Sequence, residues 1–296
     1  MIDFIIELII CNIVFISVLC LILIYFGKFI KLHIVKTQIR YYLKSNNLRE
    51  IQYKTGNYDN NKNYLIADYL DRIKTLNNFE SSKLKDLTNI IDKRKIFNDT
   101  KWNFAKTIRN IEFSFPFTIG NTILLSKEYI LTKNNTKLIK TLIHEKIHIN
   151  QRNNQKIYNE MYKTIFKNII EINPNNLESS NQNIITNPDA NNSVWLIKHN
   201  GNLYLVPYIY SPENGLVSKN KAFLIIETNN GKKYFMTDDK INVMNLGYYK
   251  KIKNQYKIDN VNLTHPNETF VDLILHSQEF IDQNSKYFSL INHTFV

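Results

Sequence analysis

His144, Glu145 and His148 stand in "TLIHEKIHINQR", and these residue types at this spacing can carry out one specific kind of chemistry. On a helix, residues four apart lie one above the other on the same face, so His144 and His148 can aim imidazole nitrogens at a common point. Zinc needs such nitrogens about 2.0–2.1 Å away. Glu145 projects beside that point, where a carboxylate can hold a water and take its proton during attack on an amide carbonyl. Leu138, Leu142, Ile143 and Ile147 give the same segment an apolar face, and a glutamate buried in such a helix needs a reason.

A catalytic zinc takes three protein ligands and leaves a fourth position open. The pattern H-E-x-x-H-x-x-G-x-x-H is excluded, because Gln151 and Asn154 occupy the positions of its glycine and last histidine. An acidic third ligand must come from elsewhere. Glu160 is too near. Glu171 is reachable but ends a helix before a proline, and Asp189 in "TNPDANN" is a loop carboxylate suited to a supporting place. Glu268 in "HPNETFVD" is the best candidate, and Asp272 shares its helix face four residues on. Glu268 can complete a zinc sphere while Asp272 accepts the N–H of a ligand histidine and fixes its tautomer.

Hydrolysis also needs a donor opposite the metal and a place for the peptide. His265 and Tyr208 are candidate transition-state stabilisers, with Arg152 and His276 equally able in chemistry; a cap or surface role is the alternative for each. "FTIGNTILL" precedes the motif helix and reads as extended. Its Thr118, Gly120 and Asn121 are candidates to receive a substrate strand, or the segment is a plain core or edge strand.

His144-Glu145-x-x-His148 followed by Glu268-x-x-x-Asp272 resembles the pattern of gluzincin metallopeptidases, most nearly the CAAX-prenyl-protease-like group. The continuation "HINQR" is also similar to zincin-like proteins that carry H-x-x-Q-R. The resemblance covers two short motifs. It implies a downstream glutamate as third zinc ligand and an aspartate supporting a histidine. The chain departs from that group in Val271, where a small residue is usual, and in showing one membrane span rather than several.

The elements that must position these residues can be read in outline. Residues Leu8 to Phe26 carry no charge, and nineteen residues of helix extend about 28 Å, close to the hydrocarbon thickness of a bilayer. Asp3 and Glu7 precede the run and Lys28, Lys31, Lys36, Arg40 and Lys44 follow it, so the positive-inside rule places the large domain in the cytosol. A glycosylation sequon, Asn267-Glu268-Thr269, falls inside the site, which agrees with that side. Both cysteines, Cys11 and Cys20, lie in the apolar run, so the rest of the chain has no disulfide and no cysteine ligand.

Helical periodicity covers 64–75, 81–94, 136–152 and 155–170, the third capped by Asn135 or Thr136. Residues 44–63 read as loop with at most short structure, and 174–192 as loop. Asn200-Gly201 and Asn229-Asn230-Gly231 mark two hairpins. The formal charge of +12 is spread along the chain with no dense basic cluster interleaved with aromatics, so no specific nucleic-acid partner is expected.

The expectation is an α+β protein: an N-terminal transmembrane helix, then a zincin-like domain with an HExxH helix, an edge strand before it, a β-hairpin region and a C-terminal helix. Its boundaries are 1–28 for the anchor, 29–62 for a juxtamembrane helix and loop, and 63–296 for the catalytic domain. The expected activity is Zn2+-dependent hydrolysis of a peptide or protein substrate by zinc-activated water, in a single-pass membrane protein whose C-terminal domain is cytosolic. A catalytically inactive zincin-fold binding or scaffold protein at a membrane is the alternative. A basic domain binding nucleic acid or anionic lipid is a third.

Overall fold

The computed structural model describes residues 2–93, 100–179, 184–185, 187–189, 193–211, 215–216, 221–228, 233–259 and 261–284. The protein is mixed α/β. It opens with α1 (Ile2–Ser45), an unbroken helix of two characters. Its N-terminal half is long and apolar enough to cross a membrane, with mean hydropathy 2.6 and no burial against the rest of the chain. Its C-terminal half packs on the domain through Val35, Ile39 and Leu43, a stripe at four-residue spacing.

The segment expected as juxtamembrane loop with at most short structure holds one short helix and is part of that packing. Asn47 caps α2 (Leu48–Thr55) by accepting from Glu50 N–H, and Gly56 closes the helix at φ 62°. Ile51 of α2 joins Leu65 and Tyr69 of α3 (Lys62–Asp71) in one core with the stripe of α1. The helix was hidden because its polar composition gives it little apolar signal, whereas its two caps are local and chemical.

After β1 (Ile73–Lys74) and α4 (Asn78–Asp92), β2 (Phe104–Thr107) begins the first sheet. Strands β3 (Phe117–Ile119) and β4 (Thr122–Ser126) form a hairpin, and the sheet order is β1-β2-β4-β3 with β3 at an edge. Gly120, the first residue of the two-residue turn, has φ 55°, a conformation that favours glycine. A Cβ there would stand 2.6 Å from the side chain of Gln38, so α1 lies directly against this turn.

Before β3 the chain does what no propensity announces. Glu112, Phe113 and Ser114 form a single turn with φ 47°, 56° and 60°, a left-handed conformation costly for side-chain-bearing residues. An anchor holds it. The buried Glu112 carboxylate accepts from Tyr69 Oη at 3.0 Å and lies 3.3 Å from Lys54 Nζ, itself 3.4 Å from Glu50.

Helices α5 (Lys127–Leu131), α6 (Asn135–Asn153) and α7 (Gln155–Phe166) follow, with Asn134 rather than Asn135 or Thr136 capping α6 through Lys137 N–H. The end of the expected helix 155–170 is instead β5 (Ile169–Ile172). Next come β6 (Leu177–Ser179), β7 (Ile184–Ile185), β8 (Val194–His199), β9 (Asn202–Leu205), β10 (Tyr208–Ser211), β11 (Gly215–Leu216), β12 (Lys221–Glu227) and β13 (Tyr234–Asn242). The described strands form a sheet of order β5-β8-β9-β12-β13-β6 and a small one of order β11-β10-β7. The Asn200-Gly201 hairpin is present between β8 and β9. Strands β12 and β13 pair antiparallel, while the Asn229-Asn230-Gly231 turn expected between them lies outside the described residues.

The C-terminal helices are α8 (Gly247–Tyr256), α9 (Pro266–His276) and α10 (Gln278–Gln283). The main core joins them to α4, α6 and α7, with Phe270 of α9 against Tyr158 and Tyr162 of α7. Burial of these aromatic faces fixes α9 beside α6, and the candidate site lies between those two helices.

Candidate metal centre

The apolar face of α6 (Leu138, Leu142, Ile147) sinks into the core and carries His148, Asn150 and Gln151 with it. His148 is fully buried and Glu145 nearly so, at 3% exposure, whereas His144 stays partly open to a cleft. Glu268 arrives from the first turn of α9, where the helix N-terminus favours a carboxylate.

His144, His148 and Glu268 converge. Their nearest donor atoms all lie within 4.8 Å of one another. The two Nε2 atoms are 2.9 Å apart, and Glu268 places Oε2 3.5 Å from His144 and Oε1 3.5 Å from His148. Ligands about 2.1 Å from a tetrahedral zinc stand about 3.4 Å from each other. The donor set is therefore the right size for such an ion.

Gln151 decides which nitrogen of His148 faces this point. Its Nε2 donates to the carbonyl of Asn267 at 3.0 Å, and a carbonyl can only accept. Its Oε1 must then face His148 Nδ1, 2.7 Å away, so Nδ1 carries the proton and the lone pair of Nε2 points at Glu268 and His144. Asp272, expected to orient a histidine, instead accepts from Asn262 N–H at 2.7 Å, and His148 takes its orienting bond from its own helix. The reason is spacing: residue 151 lies one turn beyond 148 on the same face.

The charges follow from burial and proximity. Burial pulls His144 down, but the hydrogen bond and charge of Glu268 prevail and raise it to about 9. His148 is lowered, chiefly by burial. Burial would raise Glu268, yet His148, His144 and the Asn187 amide hold it far below the usual carboxylate range. Glu145 is pushed well up by burial first and then by Asp189. Its Oε2 is buried without a hydrogen-bond partner, at the wall of the cleft.

The loop 187–189 supports the cluster and was legible only in part. Asn187 donates its side-chain N–H to Glu268 Oε1 at 2.7 Å, a contact with no sequence signal beyond its place beside Asp189. Asp189 Oδ1 accepts from Thr118 N–H at 2.7 Å and from its hydroxyl. Arg152 donates to Gly120 O at 2.6 Å, Thr118 Oγ1 at 2.9 Å and Pro188 O at 3.3 Å. The outer edge of β3, expected to receive a substrate strand at Thr118, Gly120 and Asn121, is thus already met by Asp189 and Arg152. Asn121 lies exposed in the turn beyond it.

The remaining candidates separate. His265 is a cap: its Nδ1 accepts from Asn267 N–H at 3.0 Å, and burial lowers its pKa to about 4. It does not line the cleft, so a transition-state role is replaced by a structural one. Tyr208 pairs with Ile185 across β10 and β7. Glu171 accepts from Asn159 on the surface. A cavity of about 360 Å3 opens over His144, Glu145 and Glu268, walled by Phe113, Phe115 and Tyr129. Tyr129 was missed because "KEYIL" carries no motif; its phenol, raised by burial and by Glu145, is a protic group of this cleft.

Compared with known protein families, curated proteins and solved structures, the chain matches none. The chemistry has to be argued from these side chains.

Proposed function

We propose that the protein is a membrane-anchored, zinc-dependent metallopeptidase with a zincin-like site. The carrying observation is the convergence of His144, His148 and Glu268 from two helices, with the unpartnered carboxylate oxygen of Glu145 at the wall of the same cleft. Two imidazoles and one carboxylate form a donor set suited to catalytic zinc, and an orphaned buried polar atom is costly unless something comes to meet it. Zinc held there would supply Lewis-acid polarisation of a peptide carbonyl and ease ionisation of a water.

The chain's own residues do the rest. Glu145 takes the proton of the attacking water and returns it to the leaving amine nitrogen. Gln151 and Asn187 hold His148 and Glu268 in place, and the cleft walls exclude bulk solvent. Tyr129 offers an O–H to the charge that develops on the carbonyl oxygen. The membrane placement rests on the apolar half of α1, and a cytosolic side on the lysines that follow it. Asn267 of the sequon is 1% exposed with its amide donating to Asp189 O, an arrangement incompatible with a glycan.

The test uses the full-length chain in detergent. It should carry about one zinc per chain by metal analysis. Glu145→Gln should keep the metal and lose peptide hydrolysis, while His148→Ala loses both. A metal-free chain from a zinc-replete preparation overturns the proposal.

The covered edge of β3 favours a second reading, a zincin-like binding or scaffold protein that holds zinc and turns nothing over. Stoichiometric zinc with no cleavage of any member of a peptide library would select it.

A further inference from the structure

A second concavity lies away from the metal cluster, where α1 leaves its exposed apolar stretch. It has a volume of about 330 Å3 and is bounded by α1, α4 and the segment entering β2. Lys28 and Lys31 of α1 and Lys85 of α4 line it, with Ser81 beside them and Leu32 and Trp102 as apolar walls. Among the described residues no carboxylate lines it.

We propose that this concavity binds the headgroup phosphate of an anionic phospholipid. The inference rests on the membrane placement of α1 proposed above and is independent of the zinc chemistry. Its position argues for a lipid. The uncharged run ends at Phe26, and at about 1.5 Å per residue the backbone of Lys28 and Lys31 stands about 3 and 7.5 Å beyond it. The headgroup layer on each side of a bilayer is about 5–7.5 Å thick, so both lysines leave the helix within that layer. Trp102 lines the same cavity, and indoles favour the membrane interface.

Lys85 distinguishes a built pocket from a generic basic collar. Lys28 and Lys31 would follow any membrane span, but Lys85 reaches this place only because α4 packs there. Three cations around one recess can take a phosphate monoanion or an additional headgroup carboxylate, while Leu32 and the indole accept the glycerol and upper acyl carbons.

The experiment uses the full-length Trp195→Phe chain in nanodiscs, which leaves Trp102 as the one tryptophan. Its emission is followed as phosphatidylserine replaces phosphatidylcholine. The expected result is a saturable change in Trp102 emission. Lys85→Gln should raise the phosphatidylserine fraction at half-change about five-fold, the amount one lysine contributes near an anionic surface. Lys93→Gln, also near α4 but outside the recess, should leave it unmoved. Equal effects of the two substitutions, or a full response to inorganic phosphate in neutral detergent, overturn the proposal. Release of the chain from membranes by alkaline carbonate overturns the membrane placement itself, a failure read separately from headgroup preference.

Discussion

Gln151 holds His148 through Oε1 at 2.7 Å and the backbone of Asn267 through Nε2 at 3.0 Å, so one side chain joins the helices that carry the two buried donors. It sets both the tautomer of one candidate metal donor and the distance to the other. Gln151→Met keeps the volume and removes both bonds, together with the one that Nε2 makes to Tyr162 Oη at 2.9 Å. Zinc affinity, measured by competition with a chelator, should fall 10–100-fold while far-UV circular dichroism stays native. Unchanged affinity would show that His148 needs no such support.

Arg152 spreads its guanidinium over the carbonyls of Gly120 and Pro188 and the hydroxyl of Thr118, close to the buried Asp189. Arg152→Met takes the donor away from those carbonyls and the neighbouring cation away from Asp189, which keeps its two bonds from Thr118. Denaturant unfolding should show a loss of roughly 1.5–3 kcal/mol. Arg152→Lys should recover only part, because an ammonium cannot span all of these acceptors.

The cap of α9 titrates. His265 has a folded pKa of about 4 against 6.5 for the free side chain. The unfolded chain therefore binds this proton first as pH falls, and stability is lost from pH 6.5 down to about 4, then levels off for this group. The loss is about 3 kcal/mol at the bottom of that window. His265→Asn keeps a capping oxygen and should flatten the slope by close to one proton between those pH values. An identical slope in both proteins would contradict the burial of the imidazole.

The left-handed turn at Glu112–Ser114 stores strain that glycine can release. Ser114→Ala and Ser114→Gly both delete the hydroxyl that donates to Asn110 Oδ1. At φ 60° the glycine variant should be the more stable by about 1 kcal/mol in urea unfolding, the reverse of the usual order. Alanine equal to or better than glycine would mean the turn relaxes.

How much of this was legible follows from the range of each interaction. His144, Glu145 and His148 are set by a single helix, so their spacing alone placed them. Glu268 needed the docking of α9 on α6, which rests on Phe270 meeting Tyr158 and Tyr162, a relation without local signature; the need for a third ligand pointed to it instead. Asp272 was assigned by analogy of spacing and went to Asn262, because Gln151 already sat one turn from His148. Asn187 was invisible, since a lone asparagine in an Asn-rich loop looks like any other. The turn at 112–114 was unreadable for a different reason: Glu, Phe and Ser are not left-handed residues, and the groups that hold Glu112 there, Lys54, Tyr69 and Tyr42, are distant in sequence.

α1 runs from its apolar half into the domain core without interruption, and Val35, its first fully packed residue, follows Phe26 by about 13 Å of helix. With that apolar half in a bilayer, no slack tether separates lipid from cleft. On the peptidase reading proposed above, the cleft would then work at one fixed altitude above that surface, the altitude set by the length of helix between Phe26 and Val35.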